Sequence, residues 1–165
     1  MAGPTPPVES TATDEPVSVL DHVSSVWSHK IHASQPYALL IPTMRITSAT
    51  SDGRVTGEMV LEPSHVNSLG GIHGTTSAAI IDFSAGMAIV ARSGGEKTGV
   101  STDIHASYVS SARVGDTIEV ECWLNKLGRS MAFTSVEIRK KDGEGEGKGS
   151  KKKVLVTGSH TKFVA

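Results

Sequence analysis

The sequence is poor in cysteine and has almost no net charge. Of its 165 residues only Cys122 is a cysteine, so neither an intrachain disulfide nor a cysteine-rich metal site is expected. We expect Cys122 to be a small buried residue. Sixteen Lys and Arg against seventeen Asp and Glu leave a formal charge of −1, which provides no general basic field to attract nucleic acid. Any affinity for an anion must therefore be local.

Recognisable targeting and cofactor motifs are also absent. Residues 1–16 are proline-rich and carry no basic residue and no apolar run, which predicts a disordered tail rather than a secretory signal or transit peptide. We therefore expect a cytoplasmic protein, with a mitochondrial location left open. Neither a Gly-x-Gly-x-x-Gly nor a Gly-Lys-Ser/Thr pattern occurs, so no nucleotide cofactor held by such a loop is predicted. The histidines form no convincing metal-ligand grouping, and we predict no metal.

Hydrophobic patterns predict one folded domain over residues 17–165. Apolar residues at three- and four-residue steps predict an amphipathic helix from Val17 to about Ala33. Period-two alternation predicts strands at 39–47 and 54–62, joined by a hairpin at Asp52-Gly53. Four later strands are expected to form an antiparallel meander. They lie at 99–109, 116–126, 130–140 and 153–163, with a flexible charged loop at 141–153.

Between these two groups of strands the sequence predicts a long apolar helix. Residues 75–91 are apolar or small on every side, which predicts a helix that is buried all round. Asp82 in its middle and the lack of flanking topology signals argue against a membrane span. The order of helix, two strands, long helix and four strands predicts an α+β domain, in which one antiparallel sheet wraps a central helix.

Asp82 is the residue of this helix that needs a chemical explanation. An unpaired carboxylate in an apolar helix costs several kcal/mol unless it is neutralised, hydrogen-bonded or placed at a wet cleft. A structural hydrogen bond would account for it. The interpretation we favour is a general base or nucleophile, because burial should raise the pKa of the carboxyl group towards the working pH.

The segment before the helix, residues 67–74, is rich in glycine. The N–H groups of a first helical turn have no partner within the helix, so they can stabilise a developing oxyanion. Gly74 suits this role because no side chain blocks approach to its N–H. On these residues alone, a plain loop is an equally good interpretation.

A spaced set of residues in this region also matches a known family. Asn67, His73-Gly74 and Asp82 at their spacing, followed by Gly99-Val100-Ser101-Thr102-Asp103, resemble the PaaI-like branch of hotdog-fold thioesterases, especially its animal acyl-CoA thioesterases. The segments 131–135 and 158–162 agree, and the resemblance covers about residues 20–165. It implies a hotdog fold and hydrolysis of an acyl-CoA to a free acid and coenzyme A. No cofactor is implied beyond the coenzyme A of the substrate.

The resemblance implies a role for each matching residue. Asp82 corresponds to the family's base or nucleophile, and Gly74 corresponds to the donor of the oxyanion N–H. Asn67 would orient the thioester or the water, and Ser101 would support the water or the Asp82 carboxylate. His73 would mainly shape the start of the helix.

In the expected substrate pocket one residue differs from the usual residue of the family, and several residues are cations. Thr75 stands where the family usually has a second glycine, so its side chain could narrow the pocket and change the acyl preference. The phosphates of coenzyme A attract cations. The candidate cations are Arg113, Lys126, Arg129 and Lys162. The resemblance places the nucleotide end beside the segments Tyr108 to Arg113 and Lys126 to Met131, which also contain Gly128 and Ser130. Without the resemblance, each of these cations is an ordinary turn or strand-end residue.

Helix geometry adds that one chain cannot complete this site. Gly74 and Asp82 are eight residues apart, which at 1.5 Å per residue separates them by about 12 Å. Gly74 of one subunit should therefore face Asp82 of another in a homodimer. The resemblance implies that such dimers are paired into a homotetramer. Two other functions remain open. One is a hotdog hydratase or dehydratase, which needs an acid–base pair such as Asp with His, and the other is a non-catalytic acyl-CoA binding module.

Overall fold

A computed structural model describes residues 17–141 and 152–165, in which six strands form one antiparallel sheet around a long helix. The helices are α1 (Val19–Ala33), α2 (Gln35–Leu40) and α3 (Gly74–Ser93). The strands are β1 (Arg45–Thr50), β2 (Arg54–Val60), β3 (Val100–Tyr108), β4 (Thr117–Leu127), β5 (Met131–Lys140) and β6 (Val154–Phe163). The predicted α+β architecture is confirmed. The predicted tail and residues 142–151 of the predicted loop lie outside the described residues.

The central helix α3 is buried on all sides, as its composition predicts. Every residue from Ile80 to Ala91 is buried except Asp82, which is partly exposed. The helix ends where Gly94 adopts a left-handed conformation with φ 68°, which glycine takes without strain. By length and composition α3 could cross a membrane, but most of it is buried inside the protein, as in the core helix of a globular domain.

The inner face of the sheet packs against α3. In β4 the buried residues Ile118, Val120 and Cys122 alternate with half-buried ones, which confirms the predicted pattern of a sheet with one covered face. Cys122 is a free thiol with no exposed surface, as expected for a small buried residue.

The two N-terminal helices differ in how well the sequence predicts them. The buried residues of α1 recur at steps of three and four, as predicted: Val23, Val26, Trp27 and Ile31. The prediction of a strand over 39–47 is wrong at its start, because α2 extends to Leu40 and β1 begins at Arg45. Pro36 lies in the first turn of α2, where a missing N–H costs nothing. A short apolar run has no clear period, so the sequence pattern could not separate helix from strand here.

The sheet order β1-β2-β4-β5-β6-β3 corrects the predicted meander. Strands β4, β5 and β6 are consecutive neighbours, but β3 pairs with β6 and not with β4. Strand β2 already occupies the other edge of β4, from the pair Arg54–Trp123 to the pair Val60–Thr117. Strand β3 therefore cannot pair with β4, and it pairs with the free edge of β6. As a result β3 lies at the edge of the sheet, and its residues are exposed except for the half-buried Ala106.

Candidate active site

The carboxylate of Asp82 lies where α3 meets β3, β6 and α2, and three side chains donate hydrogen bonds to it. Its Oδ1 accepts from the Ser101 hydroxyl at 3.0 Å and from the Lys162 ammonium at 2.8 Å. Its Oδ2 accepts from the Tyr37 hydroxyl at 2.7 Å. The Asp82 side chain still has 29% of its surface exposed, so the carboxylate is held in place while remaining open to solvent.

These donors reverse the effect of burial on Asp82. Burial favours the neutral carboxyl group and by itself raises the pKa. The hydrogen bonds from Lys162 and Tyr37, together with the positive charge of Lys162, outweigh burial and hold the pKa of Asp82 below its usual value. The expectation that the pKa is raised towards the working pH is therefore wrong. Asp82 is ionised at neutral pH.

Lys162 is buried, whereas the sequence analysis expected it at the mouth of a pocket, where it would meet a phosphate. Its side chain is only 5% exposed. Its ammonium group forms an ion pair with Asp82 and also lies 3.4 Å from the Ser101 hydroxyl. The strand pairing opposes Lys162 to the buried Ala132 of β5, which turns both side chains to the inner face of the sheet. A buried ammonium group needs an anion, and Asp82 supplies it. We therefore assign Lys162 to the surroundings of Asp82 and not to the nucleotide end.

The sequence analysis missed Tyr37. Its hydroxyl contacts Asp82, and its ring lies beside the rings of Trp27 and Phe83, with centroid distances of 5.8 and 6.5 Å. A polar aromatic residue next to an apolar run was the available signal. The sequence analysis could not use that signal because it interpreted the segment as a strand. Only in the helix α2 does the Tyr37 side chain point towards α3.

His160 lies beside the same carboxylate but is closed off from solvent. It has no exposed surface, and its Nε2 is 3.7 Å from Asp82 Oδ1, beyond hydrogen-bond distance. Burial and the nearby charge of Lys162 lower the pKa of His160, and these effects outweigh the raising influence of Asp82. The imidazole is therefore neutral at neutral pH, and the fold keeps it out of contact with any ligand.

The start of α3 has the geometry expected of an oxyanion site. His73 is the N-cap, and its Nδ1 accepts the N–H of Thr75 at 3.0 Å. The Gly74 N–H, which belongs to the first helical turn, has no acceptor within α3. The Tyr108 hydroxyl donates to the Gly74 carbonyl at 3.3 Å, and a methyl group at Gly74 would lie 3.3 Å from the same hydroxyl. The side chain of Thr75 is exposed beside this site.

Asn67 organises the turn that leads into this helix. Its Oδ1 accepts the N–H groups of Leu69 at 2.9 Å and Gly71 at 3.2 Å. These bonds occupy the side-chain oxygen, so the Nδ2 amide is the group that Asn67 can offer to a ligand. Asn67 also lines a surface cavity of about 400 Å³ together with Arg113 and Lys153, which confers positive charge on that cavity.

The other candidate nucleotide contacts lie elsewhere in the chain. Gly128 and Arg129 line a second surface cavity, of about 490 Å³, which also includes Ser93 at the end of α3. Lys126 is exposed on β4, and the carbonyl of Ser130 accepts the N–H of Val164 at 2.9 Å. Within one chain, the structure therefore does not bring these residues together with Arg113.

One chain thus carries two separate half-sites. The first is Asp82 with Ser101, and the second is Gly74 with Asn67 and His73. Because about 12 Å of helix separates Gly74 from Asp82, one thioester carbonyl cannot touch both within a single chain. Over residues 17–141 and 152–165, no group of three or more His, Cys, Asp or Glu side chains could hold a metal ion.

Comparisons with known proteins support a class of enzyme for this arrangement. A sequence profile described as the thioesterase superfamily matches residues 69–146. Acyl-coenzyme A thioesterase 13 of Homo sapiens is 32% identical over 116 residues, which make up 70% of this chain and 76% of that protein. The crystal structure of zebrafish thioesterase superfamily member 2 matches with a TM-score of 0.76 at 27% identity, covering 90% of this chain and 100% of that one.

A more distant structure shares the fold. A Streptococcus pneumoniae protein described as a hypothetical thioesterase, solved with coenzyme A, matches with a TM-score of 0.68 at 18% identity, over 83% of this chain and 95% of that one. The chain belongs to the thioesterase superfamily and is a thioester hydrolase. Its fold is the hotdog fold, as the resemblance in the sequence implies.

Proposed function

We propose that this protein is an acyl-CoA thioesterase, which hydrolyses an acyl-CoA to a carboxylic acid and coenzyme A. The observation that carries the proposal is the ionised, partly exposed carboxylate of Asp82 in a thioester hydrolase. A carboxylate held by fixed donors can take a proton from an attacking water. The name of the human relative and the coenzyme A in the Streptococcus pneumoniae structure support coenzyme A as the thiol part of the substrate.

In the proposed mechanism Asp82 acts as a general base. It removes a proton from water while the water oxygen forms a bond to the thioester carbon, and the carbonyl oxygen becomes an oxyanion. The N–H of Gly74 donates to this oxyanion, and the Nδ2 amide of Asn67 orients the thioester or the water. Collapse of the tetrahedral intermediate breaks the carbon–sulfur bond. The thiolate then receives the proton that Asp82 had accepted, so the atoms balance without a cofactor.

A second copy of the chain completes the site in this proposal. The edge strand β3 supports it, because an edge strand carries unpaired backbone groups and β3 is largely exposed on both faces. On its inner face Ile104 is 42% and Tyr108 58% exposed, directly beside α3. Pairing of two β3 strands about a twofold axis would set two α3 helices antiparallel, with Gly74 of each facing Asp82 of the other. We extend the proposal to a dimer of dimers, as the resemblance implies.

The same dimer also suits the divided set of cations. Antiparallel α3 helices place the start of one helix, with Arg113 nearby, close to the end of the other, with Arg129 nearby. We propose that the nucleotide end of coenzyme A binds among these cations and Lys126, because phosphates form charge-assisted hydrogen bonds with them. Lys162 has no part in this binding, because it is paired with Asp82.

A hydratase or dehydratase is less well supported than a thioesterase. Such an enzyme places an acid and a base on the reacting carbons, and both must touch the substrate. The histidine nearest to Asp82 is His160, which has no exposed surface. The exposed His73 is the N-cap of α3, and its Nδ1 is occupied by the N–H of Thr75, so this nitrogen serves the helix and not a substrate.

Release of free thiol tests the proposal. A panel of acyl-CoA esters of different chain length and aromaticity is incubated with the protein and a thiol-reactive dye. Hydrolysis releases thiol, whereas a hydratase releases none and a binding module binds saturably without turnover. The variant Asp82→Asn should lower turnover by about 10²- to 10⁴-fold. Near-normal turnover by the folded variant would end the assignment of Asp82 as the base.

A further inference from the structure

Helix α2 brings a third hydrogen-bond donor to Asp82. The Tyr37 hydroxyl lies 2.7 Å from Asp82 Oδ2, although the two residues are 45 positions apart in the sequence. The other donors, Ser101 and Lys162, both bind Oδ1. The two oxygens of the carboxylate are therefore held differently, by two donors on one side and by a single phenol on the other.

The two carboxylate oxygens of Asp82 differ in how many hydrogen bonds they accept, and this difference indicates which of them can still accept a proton. A carboxylate has about four lone-pair positions, two on each oxygen. Ser101 and Lys162 fill both positions on Oδ1, while Tyr37 fills one on Oδ2. We propose that Oδ2 is the basic oxygen of Asp82, and that Tyr37 is the positioning residue that aims its remaining lone pair at the attacking water. In that step a water O–H bond breaks and an O–H bond forms on Oδ2. At the same time the water oxygen bonds to the thioester carbon, and the π electrons of the carbonyl move to its oxygen.

The surroundings of Tyr37 suit a fixed donor. The ring packs against Trp27, whose own ring lies 3.8 Å from that of Phe83 between centroids. Trp27 is fixed in turn by a 2.7 Å hydrogen bond from its Nε1 to the Met44 carbonyl. Neighbours on α1 and α3 therefore prevent the phenol from turning away. Oδ2 consequently keeps its orientation through the reaction.

Tyr37 can act here only by donating. Burial, and then the hydrogen bond and the negative charge of Asp82, raise the pKa of the Tyr37 phenol far above its usual value. The phenol remains protonated at every pH at which the enzyme works, so it cannot replace Asp82 as the base. Because it donates to the anionic carboxylate, it also lowers the pKa of Asp82.

The variant Tyr37→Phe removes the hydroxyl and keeps the ring. We expect kcat to fall by about 10- to 100-fold with little change in KM, because a hydrogen bond to a charged group is lost where the carboxylate must be aimed. The acid limb of the kcat/KM profile should move to higher pH, because Asp82 loses a donor that lowers its pKa. NMR titration of isotope-labelled aspartate carboxyl carbons should show the same shift for Asp82 without relying on activity. A ring-fluorinated tyrosine at position 37, a stronger donor, should move the pKa of Asp82 the opposite way.

The matched control is Ser28→Ala, which removes a hydroxyl that bonds the Ser24 carbonyl at 2.9 Å on the exposed side of α1. It should leave both kcat and the acid limb unchanged.

The role of Tyr37 rests on the proposed function, and different results would contradict each of them. An active Asp82→Asn enzyme would overturn both. An inactive Asp82→Asn beside a Tyr37→Phe with unchanged kcat, or with an unmoved Asp82 titration, would overturn the role of Tyr37 alone.

Discussion

The ammonium group of Lys162 lies 2.8 Å from Oδ1 of Asp82, and only 5% of the lysine side chain is exposed. Removing both charges from water costs free energy, which their attraction offsets in part. The pair also affects the chemistry of Asp82. It keeps the carboxylate ionised, and because it lowers the pKa it makes Asp82 a weaker base than burial alone would make it.

Removal of the Lys162 charge should therefore shift the pH dependence of the enzyme. In Lys162→Met the burial of Asp82 remains, while one hydrogen bond and the neighbouring charge are lost, so the pKa of Asp82 should rise. A general base is inactive when protonated, and activity falls as the pH drops through its pKa. The acid limb of kcat/KM against pH should consequently move to higher pH. Steady-state rates on one acyl-CoA across the acid range measure this shift.

A matched control for this variant is Lys141→Met. Lys141 also pairs with a largely buried carboxylate, that of Glu58, which lies on β2 away from Asp82. Its removal should leave the acid limb in place. If both variants gave the wild-type limb, that limb would not report Asp82, and the general base would have to be sought elsewhere.

The ion pair also makes the stability of Asp82→Asn informative. The variant leaves the Lys162 ammonium group buried without an anion, which should destabilise the fold by about 1–3 kcal/mol, since the partly exposed partner weakens the pair. The double variant Asp82→Asn with Lys162→Met removes the unpaired charge. It should recover part of the lost stability in urea unfolding while remaining inactive.

The pH dependence of unfolding checks the same pair. The folded-state pKa of Asp82 is lowered, so its contribution to stability is present above the unfolded value of about 4 and is lost as the pH falls through the folded value. The difference in unfolding free energy between wild type and Asp82→Asn should be constant near neutral pH and narrow below about pH 4.

Recovery of activity in the double variant Asp82→Asn with Lys162→Met would instead show that Asp82 has a structural role only.

Sequence patterns predicted the parts of the site that lie close together along the chain. The all-round apolar run predicts α3, and the isolated charge at Asp82 singles out the carboxylate that accepts hydrogen bonds from Tyr37, Ser101 and Lys162 in the structure. The glycine-rich segment before the helix predicts a tight turn at its start, and the structure begins α3 at Gly74, one residue before the predicted Thr75. The resemblance to a family adds Asn67 and Ser101 at their spacing.

Tyr37 and Lys162 could not be predicted in the same way. They reach Asp82 from 45 and 80 residues away in the sequence. Tyr37 requires the helical phase of α2, in a run too short to show its period. Lys162 requires knowledge of which face of β6 covers α3, and the pairing of Lys162 with the buried Ala132 of β5 shows that face. The alternation of apolar and polar residues along one strand does not indicate which strands lie beside it in the sheet.

The proposed nucleotide site predicts a split between substrates. The double variant Lys126→Ala with Arg129→Ala should raise KM for acyl-CoA, because both side chains are exposed and free to meet phosphates. A short thioester without the nucleotide should be hydrolysed at the wild-type rate, and added salt should reproduce part of the effect. Arg113→Ala, tested separately, should also raise KM if the cavity beside Arg113 joins the cavity beside Arg129 in a dimer. Equal losses on both substrates would show that these cations serve the fold or the chemistry.

The proposed division of the site between two chains makes a quantitative prediction. Asn67 belongs to the same half-site as Gly74, and Ser101 belongs to that of Asp82. The chains Asn67→Ala and Asp82→Ala should each be nearly inactive alone, because every site in such a homodimer contains one defect. In a mixed dimer the same two changes fall together in one site. The other site then retains an intact Asn67 from one chain and an intact Asp82 from its partner.

Co-expression of the two chains tests this division of the site. Random pairing makes about half of the dimers mixed, and each mixed dimer has one intact site out of two, so activity should return to about a quarter of wild type. Native mass spectrometry can confirm the fraction of mixed dimers, and mixing Asn67→Ala with a second chain that also carries Asn67→Ala should restore nothing. If confirmed mixed dimers stay as inactive as their parents, all four residues act within one chain. That result would contradict the proposal that a second copy completes the site.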